Sequence, residues 1–211
     1  MRGRILAAAA LAVSVFATGA GAQQMGGIGG VGAREDDYGL SNHDMPHDVA
    51  RPVSKDAVAV AQDLRLKGKC DVAVPILRRI SMRDGSEISQ LDLGLCLLDL
   101  ASVEKDAKNA ADMRVEAAQW IVRVADTGFA KAQAKAVALY LDAVGVAADP
   151  IEAEKWAILY HGNAMRFAVG LPDIAPDLAK RLDAALDDKA RAQAEKRARA
   201  WAPVATASAD E

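Results

Sequence analysis

Two thiols and one short run of imidazoles and carboxylates are the residues here whose types could do chemistry. Cys70 and Cys96 are the only cysteines, 26 positions apart. If their helices run antiparallel about a turn at Asp84-Gly85, Cys96 lies opposite about residue 73, within one helical turn of Cys70. The pair is then a candidate disulfide closing a loop of about 26 residues, worth roughly 3 to 4 kcal/mol through the unfolded chain. The alternative is that Cys96 is a small apolar core residue and Cys70 a free thiol. His43, Asp44, His47 and Asp48 have the chemistry of metal ligands, but Pro46 opposes the helix that would align both imidazoles. We therefore expect no metal and no cofactor.

No Ser-x-x-Lys nucleophile motif, phosphate-cradling loop or paired-carboxylate motif stands out, and the GGIGG run follows no strand pattern. The expectation is a protein without catalytic residues. An envelope enzyme, such as a cell-wall hydrolase or β-lactamase-like protein, is the rival reading, and an inhibitor of a membrane sensor is a third.

The elements that must position these residues repeat. Trp120 and Trp156 end similar strings, VEAAQW and IEAEKW, 36 residues apart, and Ile76–Asp99 aligns without a gap on Gln119–Asp142 at an offset of 43. The seven-residue difference reads as extra length in one loop, the polar stretch Ser102–Asp112. Periods of this size mark stacked helix pairs, none of which buries its apolar face alone.

Apolar spacing and caps predict helices over about 54–67, 71–82, from Ser86 through Leu98, 113–126, 130–143 and 150–162. The first is expected to turn Val58, Ala61, Leu64 and Leu66 inward, and the third Ile88, Leu91, Leu95 and Leu98. Pro75 falls in the first turn of a helix begun at Asp71, and Gly94 implies close approach of a neighbouring helix. Leu178, Leu182 and Leu186, then a basic helix from Asp188 to Trp201, have no earlier copy and read as a cap over 170–203, before a tail at 204–211. Alanine makes up about a fifth of the chain and no alternating β-branched run follows the N-terminus, so the fold class is all-α.

At the N-terminus, Arg2 and Arg4, the apolar run Ile5–Ala17 and Ala20-Gly21-Ala22 have the order of a secretory signal. The run is shorter than the roughly 20 residues that span a bilayer, and cleavage after Ala22 leaves a periplasmic or secreted chain with a Gly/Asp-rich leader over 23–53. No later segment is apolar enough to span. Loss of Arg2 and Arg4 takes the net charge from −3 to −5, which argues against nucleic acid as a partner.

The stretch Ala130–Trp156 resembles the Sel-one-like repeat, a relative of the tetratricopeptide repeat. Its Ala132-Gln133, Tyr140, Gly145-Val146, Asp149, Ala153 and Trp156 occupy that family's positions, and the first unit supplies the Leu93-Gly94 pair but has Leu97 in place of the Tyr. The 36-residue period suits this family better than the 34 of tetratricopeptide repeats. The resemblance covers about Asp71–Tyr160, with repeats at about 71–112 and 113–149 and the first helix of a third at 150–162, inside a repeat domain over 54–169. It implies antiparallel helix pairs stacked into a right-handed superhelix that serves as an adaptor for a protein or peptide. Members that bridge every repeat are not matched, because the second repeat has no cysteine. On this reading the contact surface is the side made by the second helix of each pair, with Gln90, Asp92, Gln133 and Lys135 exposed on it, and the insertion at Ser102–Asp112 as a second candidate. Trp120, Tyr140 and Trp156 are expected to pack within the array.

Overall fold

A computed structural model describes residues 55–84 and 86–204, all within one compact unit. The expected signal peptide, the leader with its His43–Asp48 run, the Ser54 cap, Gly85 and the tail beyond Val204 lie outside the described residues.

The described chain is helical without a strand: α1 (Lys55–Leu66), α2 (Cys70–Asp84), α3 (Glu87–Val103), α4 (Ala107–Asp126), α5 (Ala130–Leu141), α6 (Pro150–His161), α7 (Ala164–Ala168), α8 (Pro176–Ala184) and α9 (Asp188–Ala200). Side-chain oxygens set several starts. Asp106 accepts from the Asn109 N–H at 2.8 Å, Asp149 from Glu152 at 3.0 Å with Pro150 beside it, and Asp187 from Ala190 at 2.7 Å. Each helix packs on the next from α1 to α6, so α2/α3 and α4/α5 are two stacked pairs and α6/α7 begins a third.

The seven extra residues are not loop. Asp106 caps α4 at Ala107, six residues before the expected start at Met113, and Ala110 is buried against the end of α3. With α3 and α4 at 17 and 20 residues against 12 each for α5 and α6, the insertion lengthens a helical hairpin. Seven residues are about two turns, so the buried faces keep their direction.

Two apolar cores meet at α3. Leu77, Ile80, Leu93, Cys96, Leu97 and Trp120 fill one; Leu91, Ile121, Val124, Val137, Trp156 and Leu182 fill the other, and Leu98 packs against both. Because α2, α4 and α1 all rest on α3, every residue from Ser89 to Gly94 is buried, and the expected single stripe does not describe it. Ile88 is 48% exposed, Leu95 and Leu98 are only partly buried, and Leu66 points outward at the end of α1. Pro75 lies in the second turn of α2, since that helix starts at Cys70. A Cβ at Gly94 would stand 2.7 Å from Ile121 Cγ1 and 3.0 Å from the Ala117 carbonyl, a contact that fixes how closely α3 and α4 approach.

The C-terminal segment closes the array. Leu182 and Leu186 enter the second core, α9 lies on α6, and the Trp201 ring meets Trp156 edge-on at 6.4 Å.

Candidate interaction surface

Gln133 sits at the start of α5, 1% exposed, where the turn between α4 and α5 faces the turn between α6 and α7. Its Oε1 accepts from Asn163 Nδ2 at 2.8 Å, and the same amide donates to the Gly128 carbonyl at 2.7 Å. Gln90, at the matching place in the first pair, is 4% exposed and directs its amide toward the Ser81 carbonyl at 3.5 Å. Gln133 therefore joins two inter-helix turns and Gln90 reaches back to the end of α2, so neither forms an exposed contact surface, contrary to the sequence expectation. A polar side chain in the first turn of a helix reads as solvent-facing, but here a backbone carbonyl or an amide needs it as a partner. Its recurrence at one repeat position was the signal for that role.

Asp92 is also buried, at 6% exposure, and again the expectation of an exposed residue is corrected. Its Oδ1 lies 2.6 Å from Arg65 Nε of α1, and the charge of Lys131 on α5 acts on it as well. Burial pushes its carboxyl above the usual range, and the Arg65 and Lys131 charges only partly offset this. Lys135 occupies the corresponding position in the second pair and is exposed. Position 92 is covered because α1 lies on α3 as well as on α2. Lys131 and Lys135 are four residues apart on α5, hence on one helix face, and both are exposed. Arg65 and Lys131 thus both act on the Asp92 carboxyl, and Lys135 follows Lys131 on the same face of α5, in a chain of net charge −3.

Cys70 and Cys96 are joined in a disulfide with Cα atoms 5.1 Å apart, both buried, fastening the start of α2 to the middle of α3. Trp120 and Trp156 are buried at 8% and 1%. Tyr140 is half-buried, its hydroxyl pushed up to about 12 by burial and then by the carboxylates of Glu152, Asp126 and Asp149. The basic run of α9 is mostly engaged within the chain. Arg197 reaches Asp149 at 3.0 Å and Glu152 at 2.9 Å, Arg191 reaches Asp183 at 2.6 Å, and Arg199 reaches Glu195 at 3.2 Å. His161 meets the Asp173 carboxylate at 2.6 Å across the following loop.

An open pocket of about 350 Å³ lies where the α4–α5 turn, the end of α6, the start of α7 and the C-terminal segment converge. Ile158, Leu159, Ala164, Trp201 and Pro203 provide apolar walls, Gln133 and Asn163 the polar side, and no charged side chain lines it. Among the described residues no group of three or more His, Cys, Asp or Glu is placed to hold a metal, and no helix is long and apolar enough to cross a membrane.

No protein-family model matches the chain, and no curated protein does. The crystal structure of a protective antigen present in uropathogenic Escherichia coli strains, described as displaying an SLR (Sel-one-like repeat) fold, is similar to it with a TM-score of 0.53 and 23% sequence identity. The similarity covers 69% of this chain, and the chain spans only 30% of that protein's length. The fold is thus that of a Sel-one-like repeat, an all-α helical solenoid.

Proposed function

We propose that this Sel-one-like repeat fold is a binding module for an acidic segment of another protein or peptide, acting outside the cytoplasm. The observation that carries the reading is the pair of exposed cations on one face of α5, the first of which acts electrostatically on the Asp92 carboxyl of α3. Lys131 and Lys135 are exposed on α5, and the buried Asp92 pairs with Arg65 and so fixes the helices beside them. Exposed cations held on rigid helices favour a carboxylate-bearing partner by charge complementarity, which acts on encounter rate and specificity before affinity. Export is supported by the secretory order of residues 1–22 and by the buried disulfide, a bond that persists in oxidising compartments.

The test is capture from an envelope extract by the immobilised domain, comparing wild type with the double variant Lys131→Glu, Lys135→Glu. The reading predicts one stoichiometric protein recovered by wild type, weakened by salt and lost with the double variant. Equal recovery by both would remove α5 as the contact surface.

A further inference from the structure

Ile88 stands where the second repeat has a lysine. At the offset of 43 it aligns on Lys131, as Asp92 aligns on Lys135, and both Ile88 and Lys131 are exposed, the isoleucine to 48%. The two helices are neighbours in the stack, because Leu91 of α3 shares a core with Ala132, Ala136 and Val137 of α5. Ile88 precedes Leu91 by three residues and Asp92 by four, so it lies on the flank of α3 that turns toward α5. Its place is firm. Ser86 caps α3 by accepting from the Ser89 N–H at 3.4 Å, and Ser89 and Gln90 beside it are buried.

The two helices offer opposite chemistry. α3 contains neither Lys nor Arg, whereas α5 contains neither Asp nor Glu. A carboxylate of a partner therefore finds a counter-charge over α5 and none on α3, where Glu87 next to Ile88 repels it. Lys131 and Lys135 rise about 6 Å apart along their helix, a span that carboxylates two residues apart in an extended segment match at about 6.6 Å. Such cations act on encounter and specificity, while affinity at a contact concentrates in an apolar anchor that is desolvated on binding. On this side of the array Ile88 supplies that anchor.

We propose that the acidic partner segment carries an apolar side chain that rests on Ile88 while its carboxylates meet Lys131 and Lys135, which makes Ile88 the residue that selects among acidic segments. The proposal rests on the two lysines being the contact, and adds what distinguishes one acidic segment from another.

Fluorescence anisotropy of labelled synthetic peptides with the full chain tests it. The first peptide has two Glu residues two apart, with a Leu on either side through a short glycine spacer; the second has Ser for both Leu, and the third Lys for both Glu. Wild type should bind the first about ten-fold more tightly than the second, and the third not at all. Ile88→Ser, its fold verified by unchanged helical circular dichroism, should bind the first only as well as the second and leave the second unchanged. Lys131→Glu with Lys135→Glu should lose both. Equal affinity of wild type for the first two peptides, or a Leu preference that survives in Ile88→Ser, would overturn the role of Ile88 and leave the lysines as the contact. No binding of any peptide by wild type, binding of the third as tight as the first, or binding indifferent to the charge reversal would overturn the lysine contact and this proposal with it.

Discussion

At Gly145 the backbone turns through a φ of +70°, and a Cβ built there would stand 1.9 Å from the Arg114 carbonyl oxygen. Gly68 shares that φ but has nothing within 4 Å. Gly145→Ala should therefore lose about 3 kcal/mol or more, since left-handed strain is joined by a backbone clash. Gly68→Ala should lose only about 1 kcal/mol from the strain, a contrast that urea denaturation would resolve. A second residue-scale prediction concerns Asp149. Burial alone would raise its carboxyl, but the Arg197 guanidinium and the backbone N–H groups of Glu152 and Ile151 outweigh that and hold it below the ordinary value of 3.8. A carboxyl depressed on folding adds stability that is present above its unfolded value and lost as pH falls through the folded one. The melting-temperature gap between wild type and Arg197→Met should accordingly be full at neutral pH, hold down to the ordinary carboxyl value of 3.8 and close only as pH falls below it; a gap constant with pH would contradict the assignment. The sequence showed Gly145 as a repeat position and Asp149 as a cap. Neither the Arg114 carbonyl nor Arg197, 48 residues further on, could be assigned to them without the packing.

Among the elements, the α3–α4 hairpin shows most clearly what periodicity reveals and what it conceals. The offsets of 36 and 43 located the insertion, yet a polar composition made it read as loop, whereas Asp106 caps it and Ala110 buries it as helix. Polarity marks exposure, and an exposed helix face is as polar as a linker. The same substitution of exposure for structure misplaced Gln90, Asp92 and Gln133, because inter-helix hydrogen bonds and ion pairs leave no local pattern. The disulfide acts at this scale too. It ties α2 to the middle of α3 across 26 residues, and Cys96→Ala should cost about 3 to 4 kcal/mol by loop closure, read as a lower urea midpoint. Full stability in the presence of reductant would argue that the bridge contributes nothing.

At the scale of the molecule, the two full helix pairs among the described residues are a short array, and each end of it is fastened by something other than stacking. At the N-terminal end stand the disulfide and the Arg65–Asp92 pair; at the other, α9 buries little beyond Ala194, Ala198 and the edge of Trp201. Arg197 and the Trp201 indole N–H, which donates to Asp126 at 3.4 Å, hold α9 in place. Trp201→Ala should lower stability by about 2 kcal/mol and loosen α9 first, visible as faster amide exchange across Asp188–Ala200 than in α4. With both ends fastened, α5 is a fixed surface, and its exposed Lys131 and Lys135 are the proposed contact. A photo-crosslinking residue placed at Lys131 or Lys135, and at exposed Arg79 on α2 as a control, tests it directly in cells. Positions 131 and 135 should each give a discrete crosslinked protein and position 79 none. Crosslinks from 79 alone, or equally from all three, would contradict it.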